Sequence, residues 1–202
     1  MEPFSMARHL AVQLHYPPIL PKINCERVEV NMLVSPTKFD SNEWFIVVSL
    51  LLTYSVMFVL PRRFPHSLTF IILLFSMTYV QVTDHFLAGI NLDLYDINDT
   101  EKFEWFDLIA WFLYPPFGYI YVYFFDKWSI KYRGIFWYIL LWTFIAIGIE
   151  LLALKMDLFT YINWNISYSF PVYLLTLSIY LLFFIWMKND FYRLKSRETT
   201  AK

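Results

Sequence analysis

The sequence predicts an all-α fold, an integral membrane bundle of five transmembrane helices with the third helix broken at Pro115-Pro116. Three observations carry that expectation. The first is composition: of 202 residues, 58% are hydrophobic and 22% aromatic, only 16% are charged, and mean hydropathy is +0.47. A soluble domain of this length rarely carries so much apolar surface, whereas a membrane protein has lipid to face. The second is that the apolar residues lie in five continuous runs, each near the roughly 17–25 residues a spanning helix needs. They do not alternate as barrel strands do. The third is that the connections are short, which makes sequence neighbours antiparallel neighbours in space.

Residues 1–43 are read as a poorly ordered N-terminal tail with a short helix over 5–14, and they show no signal-peptide pattern. They contain the single cysteine, Cys25, so an internal disulfide is impossible, and a lone cysteine in a polar tail is read as inert. Val28-Glu29-Val30-Asn31-Met32 can be encoded with a purine-rich GGAGGTGA just ahead of the Met32 codon, which resembles a bacterial ribosome-binding site. Translation from Met32 is therefore an alternative to Met1, with 1–31 as an over-extended start.

The transmembrane domain is expected over 44–190 and a cytoplasmic tail over 191–202. The first segment, 44–60, is closed by Pro61-Arg62-Arg63. The second, 67–90, is opened by Pro65 with Ser67 as N-cap. The third, 105–125, contains Pro115 and Pro116. Both lack an N–H, and their rings clash with the carbonyls of Trp111 and Phe112. Pro116 also pushes Pro115 away from helical angles. Freed carbonyls are tolerated in hydrocarbon only against protein or trapped water, so the break should face the interior with any site beside it. The fourth segment is 134–154. The fifth, 170–187, carries Pro171 in its first turn, where a missing N–H is harmless.

Lysine and arginine set the orientation. Arg62, Arg63, Lys127, Lys131, Arg133, Lys188, Arg193, Lys195, Arg197 and Lys202 lie on one side, against Lys102 and Lys155 on the other, joined there by Arg8, Lys22, Arg27 and Lys38 of the N-terminal tail, of which a start at Met32 leaves only Lys38. The N-terminus is thus expected outside and the C-terminus in the cytoplasm of a cell-membrane protein. The net charge of −1 offers no electrostatic basis for nucleic-acid binding. The expected partners are the lipid bilayer and other membrane proteins.

Chemistry concentrates on the outer side. Asp93, Asp96, Asp99, Glu101 and Glu104 fill the connection after the second segment. Asp84, His85, Asp107 and Glu150 lie just inside the membrane, where a charged group is costly and marks a functional hypothesis. The bland alternative pairs them at headgroup level with one another, with Lys102 or, for Glu150, with Lys155. Asp84 is the strongest candidate, because Gln81, Thr83 and His85 surround it. Asp107, Tyr114 and Tyr121 recur every seven residues, with Gly118 on the same stripe. A polar stripe beside a broken helix resembles the way transporters expose groups to a solute, while tyrosines that simply pack between helices would look alike. The aromatic, amide-rich stretch 161–170 suits an interfacial segment with Tyr161, Trp164 and Tyr168 among the headgroups. No phosphate loop, HExxH or GxSxG occurs, and four histidines with one cysteine form no zinc set. No catalytic residue, metal or cofactor is assigned.

Leu60-Pro61-Arg62-Arg63, Asp84, Leu94-Tyr95-Asp96, the block Leu113-Tyr114-Pro115-Pro116-Phe117-Gly118-Tyr119, Glu150, Trp164 and the block Tyr168-Ser169-Phe170-Pro171-Val172-Tyr173 together resemble an uncharacterised family. It comprises small multi-pass membrane proteins, of about five helices, from endospore-forming Gram-positive bacteria. The resemblance covers 44–190. It implies location and topology and no activity.

Three functions remain open. The leading one is a non-enzymatic envelope or interaction protein. The second is a transport component that binds a small solute or cation. The third is an intramembrane lipid-modifying enzyme using the acidic residues. Convergence of Asp84, His85, Asp107 and Glu150 on a cavity near Pro115 favours the last two, and splaying toward headgroups favours the first. The charge asymmetry makes its own prediction: a C-terminal tag is inaccessible to an impermeant label in intact cells and becomes labelled on permeabilisation.

Overall fold

In a computed structural model the described residues are 39–87, 94–97 and 105–200, without the side chains of Asp96, Ile97, Asp107, Phe159 and 198–200. Cys25, Met32, the short helix over 5–14, the acidic residues Asp93, Asp99, Glu101 and Glu104, and Lys102 and Lys202 therefore lie outside the described residues. So do the side chains of Asp96 and Asp107.

The chain is an all-α membrane bundle. Its helices are α1 (Ser41–Val59), α2 (His66–Leu87), α3 (Trp105–Ala110), α4 (Tyr114–Lys127), α5 (Arg133–Lys155) and α6 (Ile166–Thr200). Two short strands, β1 (Tyr95–Ile97) and β2 (Phe159–Tyr161), pair antiparallel. Among the described residues five helical spans are long and apolar enough to cross a membrane, the third being α3's end and α4 run together as Leu108–Lys127. Asp40 starts α1, and its N–H donates to the Glu43 carboxylate at 2.9 Å, one half of a capping box. Leu60, extended at ψ 131° ahead of Pro61, ends it. In α2 the first helical bond, from the Thr69 N–H, falls on the Pro65 carbonyl. Pro65 thus holds the cap position, and the exposed Ser67 sits in the first turn.

The third segment departs from expectation in where it yields. Pro115 and Pro116 lie inside the first turn of α4, and the irregular turn is a 3-10 turn at Trp111–Leu113, just ahead of them. That turn contains the two carbonyls whose partners the prolines remove. By tightening, it keeps Leu113 (φ −68°, ψ −38°) and Tyr114 (φ −71°, ψ −39°) helical. A proline in a first helical turn costs no bond. The axis therefore continues without splaying into two half-helices. The expectation that this segment lies inside holds: half of its span is buried, against 11–22% for the other four.

Around α4 the contacts are aromatic and polar, as association in lipid requires, since apolar burial by itself separates nothing from the lipid tails. Tyr121 stacks on Tyr138 of α5 at 5.2 Å and meets Trp142 edge-on at 5.4 Å. The Tyr138 hydroxyl donates to the Tyr121 carbonyl, and the Tyr121 hydroxyl to the Leu177 carbonyl of α6 at 3.1 Å. Phe64, just before α2, packs edge-on against Tyr119 at 5.9 Å and Phe184 at 5.3 Å. Each such pair adds about 0.5–1.5 kcal/mol beyond burial. Phe58, Phe70, Phe136, Trp137, Leu182 and Trp186 are exposed on the outside, facing lipid.

One end of the bundle is tied by charge. Asp126 at the end of α4 accepts from Arg63 Nε at 2.5 Å and from Lys188 of α6, while Arg63 Nη2 donates to the Asp126 carbonyl at 2.8 Å. The connection after α1, the end of α4 and the later part of α6 thus share one anchor.

At the opposite end α5 stops in a Schellman turn. The Leu158 N–H returns to the Ala153 carbonyl at 3.0 Å and the Asp157 N–H to Leu154 at 3.2 Å, with Asp157 at φ 58°. Asparagine and aspartate enter the left-handed region more readily than most side chains. The turn sends the chain back into β2. The N–H groups of Ile162, Asn163 and Trp164 then converge on the Leu94 carbonyl at 3.0–3.1 Å. The stretch expected as a plain interfacial loop is thus partly strand. Helix α6 begins at Ile166, earlier than predicted, so Pro171 sits in the helix interior. The carbonyl it leaves without a helical partner is that of the exposed Ser167. At 35 residues α6 extends about 52 Å, beyond a hydrocarbon core of about 30 Å, and 191–200 continue it as helix.

Gly118 permits the close approach of α4. A Cβ there would collide with Ser76 Oγ, Tyr180 OH and, at 2.8 Å, Tyr180 Cζ, whereas a Cβ on Gly148 meets nothing within 4 Å. Gly118→Ala is expected to destabilise the protein by about 1–3 kcal/mol through overpacking. Gly148→Ala should instead be neutral or stabilising by up to about 1 kcal/mol. Thermal unfolding of both variants in detergent checks the contrast.

Candidate functional site: a tyrosine-lined acidic cavity

A cavity of about 290 Å³ lies between α2, α4, α5 and α6. Each helix turns one face to it, with helical spacing throughout. Helix α2 contributes Ser76, Tyr79, Val80, Thr83, Asp84 and Leu87, and α4 contributes Tyr114, Phe117, Gly118 and Tyr121. From α5 come Trp142, Ile145, Ala146, Ile149, Glu150 and Ala153, and from α6 Ser169, Val172, Tyr173, Thr176, Leu177 and Tyr180. Leu113 and, from the connections, Tyr95, Leu158, Tyr161 and Trp164 complete the lining.

The acidic end is built twice by the same device. A carboxylate near the end of a helix is met by a tyrosine eleven residues later on a short strand. Tyr95 OH donates to Asp84 Oδ1 at 2.8 Å, and Tyr161 OH to Glu150 Oε1 at 2.5 Å. Tyr95 and Tyr161 are register partners in the ladder. Directly opposed residues share one face of a sheet, which brings both phenols down on the same side. Burial first, then the neighbouring carboxylate, pushes both phenols above their usual range. Both therefore stay protonated and act as donors.

Glu150 is only 8% exposed. Its Oε1 also accepts from Ser169 Oγ at 2.7 Å, and Ser169 Oγ accepts from Trp164 Nε1 at 2.9 Å. Its Oε2 is buried and makes no hydrogen bond of ordinary distance and angle among the described residues, with Tyr173 close beside the carboxylate. Tyr114 and Tyr173 stand in the same electrostatic neighbourhood. Among the described residues no lysine, arginine or histidine lines the cavity, and neither carboxylate has an ion-pair partner. Glu150 does not pair with Lys155, because five residues along a helix place Lys155 about 140° around the axis.

Of the residues singled out in the sequence, Asp84, Tyr114, Tyr121 and Glu150 meet at this cavity, and Gly118 lies on the same wall. The stripe survives because the 3-10 turn lies ahead of Tyr114 and leaves the spacing of Tyr114, Gly118 and Tyr121 helical. His85 does not join it. One residue on from Asp84, it is turned about 100° away, exposed, with its ring near Phe86 at 6.3 Å. Pro115 and Pro116 are buried but do not line the cavity. Tyr161 and Trp164, expected among the headgroups, turn inward to Glu150 and Ser169, while Tyr168 is exposed.

The face of α6 was missed. Ser169, Tyr173, Thr176 and Tyr180 recur at three- and four-residue steps, a polar stripe as regular as that of α4. The repeated acid-to-tyrosine spacing of eleven, Asp84 to Tyr95 and Glu150 to Tyr161, was a second available signal. Among the described residues no three His, Cys, Asp or Glu side chains come together as metal ligands. No known protein family, curated protein or solved structure matches the chain.

A hydrogen bond to a buried charged group contributes about 1.5–3 kcal/mol. Tyr161→Phe is therefore expected to lower stability by that order, and by much less in a Glu150→Gln background. A double-mutant cycle on unfolding in detergent should give a coupling of about 1 kcal/mol or more between the two positions.

Proposed function

We propose that this multi-pass membrane protein is the solute-binding element of a membrane transport component, with the cavity as its binding site. The observation that carries this is the pairing of Asp84 and Glu150 with a cavity that, among the described residues, no cationic side chain enters. Carboxylates inside a membrane bundle are costly and, in a protein serving only as scaffold or interaction surface, would be paired or absent. A ligand that supplies positive charge or hydrogen-bond donors removes the cost. Such sites, between helices and near an interrupted segment, are where membrane proteins hold solutes. An acid–base enzyme has less support, since His85 stands outside the cavity.

In this reading the protein sits in the cell membrane with its N-terminus outside and its C-terminus in the cytoplasm. The asymmetry of lysine and arginine supports this, as does the gathering of Arg63, Asp126 and Lys188 at one end. The acidic end then faces outward, so a cationic solute is drawn from the external side.

The test uses a strain with a deletion phenotype. Asp84→Asn and Glu150→Gln preserve shape and remove charge. Each is expected to reach the membrane at wild-type level and fail to complement. Full complementation by both would sink the proposal.

A further inference from the structure

We infer that the ligand of the cavity is an organic ammonium with an apolar body, its charged nitrogen held between Asp84 and Glu150 and its body lying along the bundle toward Ser76 and Tyr180. This rests on the reading of the cavity as a solute site and names the class of solute. Four features of the cavity carry it.

The charge is one-sided. Among the described residues two carboxylates line the space without a cation, and Glu150 Oε2 is buried and unpartnered. Its other oxygen is occupied by Tyr161 and Ser169, so the free oxygen is the one available to a donor.

The walls are aromatic. Tyr79, Tyr95, Tyr114, Tyr121, Tyr161 and Tyr173 line the space. Clustered phenol rings attract cations through their faces, which is how proteins recognise substituted ammonium groups. Tyr95 and Tyr161 donate to the carboxylates and Tyr121 is stacked on Tyr138, so the rings beside the acidic end that meet the cation are those of Tyr114 and Tyr173.

Beyond the acidic end the lining turns apolar, with Phe117, Ile145, Ile149, Val172 and Leu177. A bare alkali or alkaline-earth ion asks for a shell of about six to eight oxygens and gains nothing from such walls. An ammonium with a hydrocarbon body matches both ends.

Size sets the scale. At about 290 Å³ the cavity falls near the lower end of small-ligand sites, suited to a monoamine rather than a full lipid.

Trp142 and Trp164 line the cavity and supply an intrinsic probe. Full-length protein in nanodiscs is titrated with benzylammonium, benzyl alcohol, benzoate and sodium chloride, following tryptophan fluorescence and the thermal midpoint. Benzylammonium is expected to saturate and to raise the midpoint. Benzyl alcohol and benzoate should bind at least about tenfold more weakly, and Asp84→Asn or Glu150→Gln should weaken benzylammonium by about tenfold or more. Each variant is compared with its own ligand-free midpoint, after a single cooperative unfolding transition shows that it is folded.

If benzyl alcohol binds as well as benzylammonium, or only sodium produces a saturable change, the ammonium assignment is overturned while the cavity remains a solute site. If no probe binds, the ammonium assignment again falls. The cavity reading falls with it only if Ala146→Phe, which fills the space, also complements the deletion fully.

Discussion

Everything in this bundle depends on keeping the α4 backbone hydrogen-bonded through a double proline in the middle of a membrane. Hydrocarbon offers no water to a stranded carbonyl. The chain meets that constraint by tightening one turn, Trp111–Leu113, so that Pro115 and Pro116 fall in the next first turn. Because the axis then continues, α4 can serve as the central post. Its Gly118 accepts Ser76 and Tyr180 against the backbone, and its Tyr121 bonds α6 and is bonded by α5. A helix that splayed at the prolines would lose that alignment.

The two ends of the bundle use charge in opposite ways. At one end Asp126 is fully engaged by Arg63 and Lys188, and the interaction closes the structure. At the other, Asp84 and Glu150 are met by neutral phenols, a serine and, through that serine, an indole. Phenols satisfy lone pairs without neutralising charge. Among the described residues the acidic end is therefore ordered yet holds no countercharge. The β1–β2 ladder matters because it ties the two halves of this device together: the strand pairing that sets Tyr95 opposite Tyr161 also sets the two carboxylates' donors side by side.

How much of this was legible without coordinates follows from the range of each interaction. The five spans, the interior position of the third and the stripe of Tyr114, Gly118 and Tyr121 depend on local composition and helical periodicity, which the linear chain carries. The inward partners of Tyr161 and Trp164 are not legible locally, because aromatic, amide-rich sequence suits an interface and a buried donor equally. Only the Schellman turn after α5 and the ladder with β1 turn these residues inward. The location of the break was set by cooperation between neighbouring turns, which shifted the strain from the prolines to the residues ahead of them.

By itself, then, the sequence determined a membrane bundle and a short set of ionisable residues within it, because hydropathy and charge act residue by residue. Tertiary structure alone decided that Asp84 and Glu150 face one space while His85 and Lys155 do not. Which side chains share a cavity depends on the rotation of four helices about their axes. That rotation is set by contacts far apart in the chain: Gly118 against Ser76 and Tyr180, Tyr138 on Tyr121, and Tyr95 opposite Tyr161.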